Sequence, residues 1–212
     1  AGVPTGRPSK VQKRTTTGVD HPFQFVSTDI YGPMPASTHT NQRYLVGFSC
    51  RKTNHFKIYP MHSISEVYAK TEEYINWVTT IQKQTVQEIN FNRPGGIYSP
   101  QGINGPQTIM TDSAAYYKSN RYRDIVSAAS HGTCRVIHSS PYRLSDNSRV
   151  ERSWQTCAQS AACMRAACSL SEKFWSFSML HAAKLMNVMP TASNQDNNSP
   201  HRKYYRRRNH SL

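Results

Sequence analysis

Three acidic residues stand out by position in a chain where acids are scarce: Asp29 in "STDIYGP", Asp112 in "TIMTDSAAYY" and Glu151 in "NSRVERSW". Asp29 and Asp112 each lie near the end of a short apolar run of strand character, and Glu151 lies at the start of a helical one. Three carboxylates gathered in a dry site cannot all stay ionised without cations. Oxygen-only donor sets suit Mg²⁺ or Mn²⁺, and two such ions about 4 Å apart can drive phosphoryl transfer. Two simpler readings stand beside this one. An aspartate at a strand end commonly serves a turn, and Ser148 with Glu151 matches a Ser-x-x-Glu capping box, in which the glutamate only satisfies an N–H.

The elements that must position these residues can be read in order. Residues 1–20 mix Gly, Pro, Thr and Lys/Arg without periodicity and read as a basic linker. The runs "FQFVSTDIYG", "RYLVGFSC" and "HFKIYPM" then predict a three-stranded antiparallel meander. Val67, Thr71, Tyr74, Ile75, Val78 and Ile81 recur at helical spacing behind Ser65, the expected N-cap. Beyond a Gly/Pro-rich loop come a strand "QTIMTD", a helix around "NRYRDIVSAAS" and a strand "CRVIHSS". Two helices follow, "NSRVERSWQTCAQSAACMRAACSL" and "EKFWSFSMLHAAKLMNVM", the second closed by Pro190. This order predicts an α/β domain over 21–190, a mixed five-stranded sheet flanked by helices, with the first and fourth strands as neighbours. Asp29 and Asp112 then share the carboxyl edge where ligands of such sheets gather. Residues 191–212 read as a polar, then basic, poorly packed tail.

Charge names the class of partner. Twenty-six Lys and Arg against twelve Asp and Glu leave a net +14, a field that attracts polyanions, nucleic acid first among them. A ribosomal or structural basic protein is the plainer alternative. Lys118, Arg121, Arg143, Arg149 and Arg152 flank the acids in sequence and are candidates to hold DNA phosphates. The terminal run "HRKYYRRR" could track phosphates, stack bases or act as a nuclear address. Five cysteines, an odd number with no leader before them, fit a reducing compartment, and those in "CAQSAACMRAAC" read as small apolar helix residues. No Cys-x-x-Cys pair offers a zinc site; His131, Cys134 and His138 lack a fourth ligand, and no metal is expected there. No apolar run approaches the roughly 20 residues that span a bilayer, so no membrane partner is expected.

Taken in order, "VSTDIYGPMP", "RYLVGFSCRKTNHFKIYPMHS", "TIMTDSAAYYKS", "SSPYRLSDNSRVERSWQT" and "EKFWSFSMLHAAKLMNVMP" resemble the integrase core of retrotransposons, most similar to the copia type, from about residue 22 to 190. The resemblance implies a ribonuclease-H-like fold and DNA integration by 3′-end processing and strand transfer. In that family three motif acids bind two Mg²⁺ or Mn²⁺ ions, and they fall here on Asp29 of "DIYGP", on Asp112 and on Glu151 of "SRVER". Phe174 and Trp175 match the family's Phe-Trp before its last core helix. The resemblance also implies element ends and target DNA as partners, assembly of a homo-oligomer on DNA, and work in the nucleus after passage through a cytoplasmic virus-like particle. Two departures stand out. Ser113, Ala114 and Ala115 replace an Asn-Gly-Gly, and Ser148 replaces a loop glycine, which reduces backbone freedom. The family's Cys/His zinc module is not found in residues 1–20, so the chain resembles a piece of a longer polyprotein. A degraded integrase that only binds nucleic acid, and a ribonuclease-H-type nuclease, remain as alternatives.

Overall fold

Alternation in Phe25–Tyr31, strand β1, sends Val26 and Ile30 into one hydrophobic core and Tyr31 into a second core on the opposite face. Asp29 therefore shares the face of Tyr31. The computed structural model describes residues 21–91, 105–139, 147–192, 194 and 197–205, the side chains of 84–91 and 204–205 excepted. With β2 (Tyr44–Cys50), β3 (Phe56–Met61), β4 (Thr108–Thr111) and β5 (Arg135–His138), strand β1 forms a five-stranded sheet in the order β3-β2-β1-β4-β5. β1 pairs antiparallel with β2, and β2 with β3; β1–β4 and β4–β5 are parallel. The short connectors permit the meander, whereas each parallel step requires a crossover that carries a helix.

One face is covered by α1 (Val67–Phe91) and α3 (Asn120–Ala129), preceded by the single turn α2 (Ala115–Lys118). Tyr74, Ile75 and Val78 of α1 meet Tyr122 and Val126 of α3 over Val26, Phe48 and Ile109, and Phe48 stacks on Tyr74 at 4.1 Å. The other face is covered by α4 (Ser148–Ala167) and α5 (Trp175–Val188), whose Val150, Trp154, Cys157, Trp175 and Met179 pack on Leu45, Phe56 and Ile58. The sandwich is that of an α/β domain with a mixed sheet, as the order of elements predicts.

Several local expectations change. The cap ahead of α1 is not Ser65, which lies inside a 3₁₀ turn at Ile64–Glu66; the Glu66 carboxylate accepts the N–H groups of His62 at 3.1 Å and Ser63 at 3.3 Å. By taking both N–H groups Glu66 sets the cap at Ser63, two residues before Ser65. Of the cysteines on and after α4, Cys157 is buried, but Cys163 and Cys168 are exposed, because they fall off the buried stripe Val150–Trp154–Cys157–Ala161. The chain beyond Pro190 is also better packed than its polarity suggests. Asn194 is only 1% exposed, and a short helix α6 (Pro200–Tyr205) lies against α5. Residues 1–20 and Arg206–Arg208 lie outside the described residues.

Candidate functional site

The parallel register Val26↔Ile109 and Ser27↔Met110, continued two steps, sets Asp112 level with Asp29 on the neighbouring strand. Directly opposite Asp29, on β2, is Gly47. A Cβ there would meet Trp154 Cζ2 at 2.6 Å and Phe56 Cε2 at 2.8 Å, so α4 lies closer to the sheet than any side chain at this position permits. Glu151, in the first turn of α4 and one helical turn before Trp154, is exposed. A second link holds the same stretch, where the hydroxyls of Ser49 and Ser153 lie 3.4 Å apart.

The Asp29 carboxyl feels the other two. Burial pushes the Asp29 carboxyl up to about 6; its own Oδ1, accepting the Ile30 N–H at 2.9 Å, opposes this, and the negative fields of Asp112 and Glu151 add to it. The Tyr116 phenol is likewise raised, by burial first and then by Asp112 and Asp29. Three carboxylates from three elements thus share one electrostatic neighbourhood. Among the described residues, however, no three His, Cys, Asp or Glu side chains stand close enough to hold one metal ion as placed. The donor chemistry suits a hard divalent cation, which would relieve the penalty on Asp29; the cluster is electrostatically coupled but open.

The simpler readings of the same acids fare differently. Asp112 does serve a turn, since its Oδ1 accepts the Ala114 N–H at 3.2 Å, which leaves its second oxygen for other work. The capping box does not form as the spacing suggests. α4 begins at Ser148 with Asn147 at the cap position, so the third helical residue is Val150 and Glu151 falls one place too late.

The basic candidates divide. Lys118 and Arg152 are exposed, on α2 and α4. Arg121 is exposed at the start of α3, with its guanidinium 4.7 Å above the Tyr68 ring. Arg149 is half-buried and donates to Asn54 Oδ1, and burial, then the fields of Arg51 and Arg152, lower its pKa. It is therefore engaged within the protein. Arg143 lies outside the described residues. Sequence reasoning missed Arg51, which sits on the ring of Phe25 at 4.8 Å and within the field of Arg149; no local signal marks it. Away from the site, His138 Nδ1 pairs with Thr111 Oγ1 at 2.8 Å, and burial pushes the Cys134 thiol up to about 12. No described helix is long and apolar enough to cross a membrane.

The sequence matches no family model and no curated protein. The fold does have a counterpart among solved structures. A chain from the cryo-EM structure of the simian T-cell lymphotropic virus intasome in complex with PP2A regulatory subunit B56 gamma superposes with a TM-score of 0.61 at 13% identity. The match covers 90% of this chain and 57% of that one. Sheet order, helix placement and this likeness define a ribonuclease-H-like fold.

Proposed function

We propose that the chain is the catalytic core of a retrotransposon integrase of the copia type, joining element DNA ends to target DNA by metal-dependent polynucleotidyl transfer. What supports this is placement within a ribonuclease-H-like fold: Asp29 on β1, Asp112 just past the end of the neighbouring strand β4, and Glu151 in the first turn of the helix packed over Gly47 opposite Asp29. Asp29, Asp112 and Glu151 are the residues that would hold Mg²⁺ or Mn²⁺, two ions in the full site. Bound there, the ions would supply charge neutralisation at a phosphodiester and acidify the attacking water or 3′-hydroxyl. The chain's own part is to present the three carboxylates from the sheet edge and α4, with Asp29 largely ionised at neutral pH despite its burial. Lys118, Arg121 and Arg152, with Arg51, all exposed, would hold phosphates of the DNA backbone. Work on DNA as a homo-oligomer in the nucleus, within a longer polyprotein product, belongs to the same proposal.

A second reading has an observation of its own. The acids stay open as placed, and "DSAAYY" stiffens the turn behind Asp112, both of which suit a core that binds DNA without cutting it. DNA joining by the parent and by Glu151→Gln, in Mn²⁺ with generic duplex oligonucleotides, decides between them. Joining is expected from the parent and not from the variant, while DNA binding persists in both. Equal joining by the variant would remove Glu151 from the site, and an inactive parent would leave the binding-only reading. Cleavage of RNA in RNA:DNA hybrids without DNA joining would point to a nuclease instead.

DNA binding itself is expected to be weakly sequence-selective and strongly salt-dependent. Four phosphate contacts, one each for Arg51, Lys118, Arg121 and Arg152, give a loss of about a hundredfold between 50 and 200 mM salt. An affinity that hardly moves over that range, measured by fluorescence anisotropy, would rule out the electrostatic account.

A further inference from the structure

The first turn of α4 carries Glu151 but has no cap of its own from Asn147, whose side chain makes no capping hydrogen bond. What holds it is distant in sequence. Arg149 donates to Asn54 Oδ1, in the turn between β2 and β3. Asn54 Nδ2 donates to Asn194 Oδ1 at 2.9 Å, and Asn194 Nδ2 donates to the Asn198 carbonyl at 2.8 Å. Lys203 Nζ approaches the same Asn194 oxygen at 3.4 Å. Each amide uses both ends, which fixes its orientation. Asn54 occupies the left-handed region, with φ +61°, where an asparagine is tolerated and most residues are not.

Arg149 needs such an acceptor. Its guanidinium is half-buried beside the turn at Asn54, and a buried charge is costly unless it is paired. A neutral amide oxygen held in place gives the charge a partner where no carboxylate forms an ion pair with it among the described residues. Ser153 Oγ donates to the Arg149 carbonyl at 3.1 Å and lies by Ser49, so the turn fixed by Arg149 is also joined to the sheet. At the far end, Asn187 grips the β3 edge, accepting the Phe56 N–H at 2.8 Å and donating to the Phe56 carbonyl at 2.7 Å. The segment after α5 therefore leaves from a fixed point before it reaches Asn54.

We propose that Asn194 is a positioning residue for Glu151: acting through Asn54 and Arg149, it makes the segment after α5 a brace for the first turn of α4. The importance of that turn for chemistry rests on the proposed function; the brace itself does not. The test is amide hydrogen exchange on the full chain, read at Glu151 to Trp154 against β1 and β2 as an internal standard. Asn194→Ala and Arg149→Met are each expected to speed exchange at those four amides about tenfold, and the double variant no more than either alone, because neighbours in one hydrogen-bond network are coupled. Asn54→Gly removes the central amide while suiting the left-handed backbone, so it keeps the test open if burial makes Asn194→Ala fold poorly; it should show the same acceleration. Asn194→Asp keeps the oxygen that Asn54 uses but loses the donor to the Asn198 carbonyl, so it should restore protection in part, exchanging more slowly than Asn194→Ala and faster than the parent. Unchanged rates in the variants, effects that multiply in the double variant, or failure of Asn194→Asp to restore protection would overturn the brace. An inactive parent would remove the enzyme reading and leave this result standing.

Discussion

Asp29→Asn is expected to abolish DNA joining and, in the same protein without divalent metal, to raise stability at pH 7. The two effects have one cause. In the folded chain the Asp29 carboxyl is pushed up from 3.8 to about 6, chiefly by burial and further by Asp112 and Glu151. The folded state therefore holds this proton at a pH where the unfolded chain has already released it. Stability falls as pH rises from about 4 to about 6, and above that the full cost of the ionised carboxylate is present. Asparagine keeps the oxygen that accepts the Ile30 N–H and cannot ionise. Its advantage over the parent should be near zero at pH 4 and reach a plateau of about 1–3 kcal/mol above pH 6, the upper figure being discounted because Asp29 retains some solvent.

Divalent metal should reverse the ranking. A cation bound by the native state alone stabilises the parent by mass action, and the variant, short of one carboxylate, should gain little. Thermal melting from pH 4 to 8, with and without Mn²⁺, reads both effects. A parent whose melting temperature rises through that range relative to the variant without metal would show that Asp29 is not held in a disfavoured charge state. The account of the site would then lose its main electrostatic support.

What could be read in advance followed from periodicity and order. Period-two runs before Cys50 and Met61 and a helical stripe from Val67 to Ile81 define the meander and α1, and a later single strand flanked by helices leaves few ways to complete the sheet. That Asp112 follows the strand next to the one carrying Asp29 came with that topology. The cap of α1 was misplaced by two residues because Ser63 and Ser65 are chemically equivalent in sequence, and only the reach of Glu66 separates them. Arg149 was misread for a deeper reason. Its partner Asn54 lies 95 residues before it, Asn194 lies 140 residues after Asn54, and nothing in "SRVER" distinguishes a cation that faces DNA from one that faces a turn. The burial of Asn194 was hidden because polar composition marks loops in general, while a single buried amide can anchor one.

Gly47 shows the same limit and carries the second large effect. A glycine inside a strand signals a close approach, but the partner appears only in three dimensions: Trp154 Cζ2 at 2.6 Å, with Phe56 Cε2 and Cζ at 2.8 and 2.9 Å from a built Cβ. Neither ring can withdraw easily. Trp154 stacks on Tyr31 at 5.2 Å and meets Phe56 edge-on at 5.0 Å, so each movement disturbs the other. Gly47→Ala should therefore lift α4 from the sheet at the cost of about 2–3 kcal/mol, the upper part of the overpacking range, lowering the melting temperature by roughly 4–10 °C. The displacement bears directly on the site, because Gly47 faces Asp29 and Trp154 is one turn from Glu151. With α4 raised, both the cover over Asp29 and the field of Glu151 weaken, and the Asp29 carboxyl should titrate lower, nearer its ordinary value. Trp154→Phe supplies the control: a smaller ring makes room for the new methyl, and the buried indole N–H has no hydrogen-bond partner among the described residues to lose. Gly47→Ala/Trp154→Phe is expected to recover part of the lost melting temperature relative to Gly47→Ala and to return the Asp29 titration towards about 6, followed by carboxyl carbon shifts in NMR. If Gly47→Ala melts with the parent and leaves that titration in place, the close seat of α4 on Gly47 is not what brings Glu151 to the aspartates.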